Sequence, residues 1–122
     1  MLPAADQAFL NEKRYEWRET TENGMICVVI SNYRLPPGLN HESAELLIRL
    51  PPSWPDGKPD MFWVIPNLRK AGANTDPQST CQEAHLGRTW QRFSRHIASW
   101  PRGHGLREWM AVVRLELEKV AA

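Results

Sequence analysis

The chain has 122 residues, and its 15 basic and 14 acidic side chains give a formal net charge of +1. This length predicts one domain, and the balanced charge excludes a whole-molecule field for nucleic acid or an anionic membrane surface. No apolar run reaches the roughly 18 residues of a membrane span, and a secretory signal is not expected. Two cysteines do not indicate a disulfide framework. We therefore predict a cytoplasmic protein with reduced thiols.

The first half of the chain predicts an antiparallel meander. Residues 1–14 form a short lead-in or helix, and residues 15–66 carry four strands joined by short connections. Asn23-Gly24 is the strongest short hairpin signal, and it separates the first two strands. The four segments with strand composition are residues 15–20, 25–31, 44–50 and 61–65.

The second half predicts a long loop followed by a helix. Residues 67–89 are polar with few strand or helix signals, and such long loops are commonly functional. Residues 90–97 fit a short helix or a strand equally well, so we assign residues 67–104 to an active-site loop region. Residues 105–122 form a C-terminal helix, since Leu106, Trp109, Met110, Val113, Leu117 and Val120 recur at helical spacing. The prediction is a single α+β domain with this helix packed on the sheet.

The two cysteines lie in contrasting surroundings. Cys81 is flanked by polar residues, including Thr80 and Gln82, which predicts an exposed thiol that can act as a nucleophile. Cys27 lies inside an apolar strand, where a thiol is ordinarily inert packing. On local sequence alone, the incidental surface thiol is the favoured interpretation of Cys81.

The middle of the chain resembles ubiquitin-conjugating enzymes. The third strand leads into Pro52-Ser53-Trp54-Pro55-Asp56-Gly57-Lys58-Pro59, which is similar to the family's Tyr-Pro-x-x-x-Pro turn. Pro66-Asn67 matches the last two residues of its His-Pro-Asn motif, although Ile65 replaces the histidine. The match is closer to the prokaryotic ubiquitin-conjugating-like family E. Three blocks carry it, at residues 35–38, 59–64 and 87–96.

The resemblance implies a thioester enzyme with Cys81 as its catalytic residue. A ubiquitin-like protein would be accepted from an adenylating activating enzyme and passed to an amine, and a JAB-type metallopeptidase is a further implied partner. Asn67 would supply a donor to the developing oxyanion, or would only end its strand. His96 would act as a base, or would be a partly buried hydrogen-bonding histidine. The longer spacing from Asn67 to Cys81 and the reduced helical complement depart from the eukaryotic pattern.

Three alternatives remain open at this point. The first is a non-catalytic module that binds a ubiquitin-like protein or another partner through Trp54 and Trp63 on the sheet. The second is a nucleic-acid site built on a cluster of cations and rings, although neutral charge argues against it. Its members are Arg88, Arg92, Arg95, Trp90 and Phe93. The three arginines and His96 are also candidate cations beside the thiol. The third is zinc held by Cys81, His85 and His96, whose spacing matches no established ligand pattern. We expect no metal and no cofactor.

Overall fold

A computed structural model describes residues 1–122 and contains two helices and six strands. The elements in chain order are α1 (Ala4–Glu12), β1 (Glu16–Glu22), β2 (Met25–Arg34), β3 (Ser43–Leu50), β4 (Met61–Ile65), β5 (Thr80–His85), β6 (Arg88–Ser94) and α2 (Leu106–Ala121). All six strands join one antiparallel sheet in the order β1-β2-β3-β4-β6-β5. The predicted α+β class and the four-strand meander are therefore confirmed.

Two of the strands correct the prediction, because β5 and β6 occupy residues assigned to a loop. His85 pairs with Arg88 across a two-residue turn, and both turn residues have positive φ, 54° at Leu86 and 73° at Gly87. Such a turn matches the twist of the strands that it joins. Leucine is disfavoured at positive φ, so Leu86-Gly87 is not a recognisable hairpin signal.

One face of the sheet is covered by both helices. The apolar stripe of α2 packs there as predicted, and Leu106, Trp109 and Val113 are fully buried. Phe9 and Leu10 bring α1 into the same core. Burial of these side chains is the main stabilisation of a sheet that would otherwise expose an apolar surface.

The opposite face carries no helix, and we call it the open face. A smaller cluster of Cys27, Val29, Leu47, Trp63 and Trp90 lies on it. These positions alternate with the helix-covered positions, as the two-residue period of a strand requires. Any side chain in register with Trp63 or Trp90 on a neighbouring strand therefore also lies on the open face.

A buried carboxylate joins three distant parts of the helix-covered side. Asp6 of α1 is 5% exposed. It accepts the indole N–H of Trp54 at 2.7 Å and the backbone N–H of Leu106, the first residue of α2, at 2.9 Å. The favourable position of an anion at a helix N-terminus adds to these two hydrogen bonds.

Candidate functional site

Cys81 is an exposed thiol on the edge strand β5, whereas Cys27 is fully buried in β2. The predicted contrast in exposure between the two thiols is confirmed, although Cys81 lies on a strand and not in a loop. Cys81 is directly opposite Arg92 of β6, and Arg92 is in turn opposite Trp63 of β4. Cross-strand neighbours share a face, so the thiol lies on the open face.

A charged network lies on the same face, next to the thiol. Arg92 donates to Glu83 at 2.7 Å, and the indole N–H of Trp63 donates to the same carboxylate at 3.0 Å. His85 Nε2 lies 2.6 Å from Glu83, and its Nδ1 lies 3.2 Å from Glu22. These contacts join Glu22, the last residue of β1, to the β5–β6 hairpin.

The carboxylates of this network are held ionised. Partial burial acts against ionisation of Glu83, but hydrogen bonds from His85 and Trp63 and the charge of Arg92 prevail and lower its pKa below 4.5. A backbone N–H of Leu86 is the main cause of the lowered pKa of Glu22. The surroundings of Cys81 are therefore a balanced set of fixed charges, and Arg92 is the cation directly across from it.

A cavity of about 390 Å³ borders this network on the open face. Its lining includes Arg92 and Glu83, together with Trp63, Arg49 and Lys58. Arg92 both lines this cavity and is the cross-strand partner of Cys81. A chain that approaches the thiol along the open face therefore has a concave surface next to its target.

Asn67 lies on the other side of β5. Its amide N–H donates to Asp76 at 2.7 Å, and its oxygen accepts from Gln82 at 2.8 Å. Gln82 follows Cys81 directly, and successive strand residues point to opposite faces. The structure thus does not bring the Asn67 amide to the thiol, and both ends of that amide are already occupied.

The predicted tryptophan surface is not on the outside of the molecule. Trp54 is 7% exposed and packs in the helix-covered core, so the prediction that it offers a binding face is wrong. Trp63 does lie on the open face, but it is 4% exposed, beneath Glu83 and beside His85. Neither ring offers the broad aromatic surface that the binding-module hypothesis requires.

The arginine cluster divides between the two faces. Arg88 pairs with Glu45 at 2.8 Å, whereas Arg95 pairs with Glu116 of α2 at 3.0 Å. Arg95 therefore fastens β6 to a helix and does not face Cys81. Trp90 and Phe93 are fully buried, which leaves neither ring accessible for stacking with a base.

The histidines do not assemble a zinc site with the thiol. His96 is exposed and follows the end of β6, four residues beyond Arg92, or about 13 Å along an extended chain. His85 is on the same face as Cys81 but is likewise four strand residues away. No three His, Cys, Asp or Glu side chains are grouped closely enough to hold a metal ion.

The network of Glu22, Glu83 and His85 was not predicted from the sequence. The alternation of Cys81, Glu83 and His85 was visible, and it would have placed all three on one face if β5 had been recognised. Glu22 could not be found in this way, since it is 63 residues from His85 in sequence.

Comparison with known proteins gives one match that spans nearly the whole chain. A family model described as prokaryotic E2 family E matches residues 2–120. No curated protein and no solved structure matches. Neither helix combines the length and the apolar character needed to cross a bilayer.

Proposed function

Because this chain belongs to prokaryotic E2 family E, we propose that it accepts a ubiquitin-like protein as a thioester on Cys81 and transfers it to an amine. Membership of an E2 family indicates in general a role in ubiquitin-like conjugation, with a ubiquitin-like protein and an E1-like enzyme as partners. The observation that carries the assignment to one residue is the exposure of Cys81, the only thiol of this chain that a partner can reach.

The loading step exchanges one thioester for another. The Cys81 thiolate attacks the carbonyl carbon of the thioester on the activating enzyme, and a new S–C bond forms as the old one breaks. Cys81 gives its proton to water before it attacks. The activating enzyme's sulfur leaves as a thiolate and then takes up a proton from water. No oxidant or reductant is needed, because both sulfurs keep their oxidation state.

The transfer step joins the same carbonyl carbon to nitrogen. A neutral amine attacks, the C–S bond to Cys81 breaks, and the amine nitrogen loses its proton to solvent. Negative charge develops on the carbonyl oxygen in both steps, and a donor or cation nearby lowers the barrier. Arg92 is our candidate for this stabilisation because it lies across from Cys81 on the same face. Asn67 and His96 do not share that position.

The assignment is tested by reconstitution. The protein is incubated with an E1-like activating enzyme, a ubiquitin-like protein that this enzyme charges, and ATP, and adducts are separated with and without dithiothreitol. We expect a dithiothreitol-cleavable adduct that Cys81→Ala abolishes. Cys81→Ser should give an oxyester that resists dithiothreitol, and Cys27→Ala should retain the thioester provided that its unfolding curve is normal.

Two results count against the proposal. A cleavable adduct that persists in Cys81→Ala would move the chemistry to another residue. A stable complex with the ubiquitin-like protein and no covalent adduct, from wild-type protein and an activating enzyme that is itself charged, would favour the binding-module alternative.

A further inference from the structure

A basic cleft lies at the opposite edge of the sheet from Cys81. It has a volume of about 640 Å³ and is formed by the end of α1, by β1 and β2, and by α2. Five cations line it, namely Lys13, Arg14, Arg34, Arg107 and Arg114, against the single carboxylate of Glu16. None of its lining residues belongs to the cavity or the charged network beside Cys81, so this cleft is separate from the thiol.

Several of the cations in the cleft have no carboxylate partner. Eight of the 15 Lys and Arg side chains form ion pairs, which leaves seven without one. Lys13, Arg14 and Arg34 are three of those seven, and all three are exposed. Arg107 and Arg114 are partly neutralised by Glu12 and Glu118, at 2.9 and 3.6 Å. The near-zero formal charge of the whole chain thus conceals a local excess of cations.

The floor of the cleft is aromatic and apolar. Phe9, Tyr33 and Met110 line it and are 5%, 4% and 4% exposed. The Tyr15 and Tyr33 rings lie 6.0 Å apart, and the Arg107 guanidinium lies 4.8 Å from the centre of the Phe9 ring. Burial raises the pKa of Tyr33, against the opposing effect of Arg114, so this phenol keeps its proton at neutral pH. Its hydroxyl can then donate as well as accept.

We propose that this cleft binds a small molecule that carries one or more phosphate groups. A guanidinium group can donate two parallel hydrogen bonds to two oxygens of one phosphate. Four arginines line the cleft, namely Arg14, Arg34, Arg107 and Arg114. The volume falls within the range of roughly 300–1,000 Å³ that is usual for small-ligand sites. The exposed cations at the rim supply the phosphate contacts, and the half-buried Tyr15 ring on the cleft wall offers an apolar contact to the rest of an organic phosphate. This site is independent of the proposed thioester chemistry.

The test is calorimetric titration of the intact protein in magnesium-free buffer with inorganic triphosphate, ATP and adenosine. We compare a cleft variant, Lys13→Gln/Arg14→Gln/Arg34→Gln, with a control variant, Arg18→Gln/Lys70→Gln/Arg102→Gln. Each removes three exposed cations that have no ion pair, so the two variants have equal net charge. Normal urea unfolding curves for both would exclude a folding defect.

We expect triphosphate and ATP to bind wild-type protein, with the cleft variant weakened at least tenfold and the control variant less than twofold. Tighter binding of ATP than of triphosphate would support an organic phosphate as the occupant, with the Tyr15 ring in contact with it. Equal losses in the two variants would reduce the effect to general charge attraction, and absence of binding by both phosphates would overturn the proposal. Tighter binding of a ten-residue polyglutamate peptide would also overturn it, because the occupant would then be an acidic protein segment.

Discussion

Removal of the Asp6 carboxylate is predicted to cost a large share of the stability of this domain. The side chain is 5% exposed and accepts two hydrogen bonds, from the Trp54 indole and from the backbone N–H of Leu106. Asp6→Ala leaves both donors buried with no partner. Since α1, the proline-rich turn before β4 and the start of α2 meet at this carboxylate, no other contact of the same kind replaces it.

The magnitude follows from the two orphaned donors. A buried donor left without a partner costs about 1–3 kcal/mol, and an anion at a helix N-terminus contributes roughly 0.3–1 kcal/mol more. Two such donors and the helix terminus sum to roughly 2–7 kcal/mol, centred between about 4 and 5 kcal/mol, against a total of about 5–15 kcal/mol for a typical domain. For a chain of this length, such a loss lowers Tm by roughly 10–25 °C. Asp6→Asn keeps one acceptor oxygen but turns an NH2 toward the second donor, so about half of the loss should remain.

Urea unfolding followed by tryptophan fluorescence measures the effect. The matched control is Glu12→Gln on the same helix, which breaks an ion pair whose side chains are 61% and 54% exposed and should change stability by less than about 0.5 kcal/mol. If Asp6→Ala loses less than about 1 kcal/mol with an unchanged m-value, the carboxylate does not join the three elements as described.

Three further predictions concern other parts of the molecule. Gly38→Ala should lower the free energy of unfolding by about 1–3 kcal/mol more than Gly72→Ala does, as measured by urea unfolding. A Cβ at position 38 would lie 2.8 Å from the backbone oxygen of Ala121 in α2, whereas a Cβ at position 72 has open space around it. Equal losses in the two variants would contradict this. Because its pKa is lowered in the folded state, the ionised Glu83 carboxylate stabilises the fold above about pH 4.5, and this stabilisation is lost as pH falls through the folded pKa. Glu83→Gln should therefore lose less stability than wild type between pH 6 and pH 3, and parallel urea midpoints would refute the pKa direction. A thiol reagent such as Ellman's reagent should titrate Cys81 rapidly in the native protein and Cys27 only after unfolding, whereas two fast thiols would contradict the buried position of β2.

The sequence was sufficient to predict elements that depend on neighbouring residues only, such as a tight turn or an amphipathic helix. The Asn23-Gly24 turn is present with φ of 51° and 78°, and the apolar stripe of α2 is buried as its spacing predicted. The β5–β6 hairpin was missed because its edge strand is polar and Leu86 adopts a conformation that leucine disfavours. Trp54 was placed on the surface because its partner Asp6 is 48 residues away, and no local pattern indicates that contact.

The same limit applies to the site, where the faces of the sheet decide which groups can take part. As a loop residue, Cys81 was free to meet Asn67, and the resemblance implied that pairing. As a strand residue, it is separated from Asn67 by the sheet itself, because Gln82 holds that amide from the opposite face. Arg92 takes the position next to the thiol through backbone register alone. Because Cys81 lies on the open face, the ubiquitin-like protein must approach that face to be transferred to the thiol. Loading rates should then be sensitive to Arg92→Gln and little affected by Asn67→Ala, and the reverse order in single-turnover loading would return the role to Asn67.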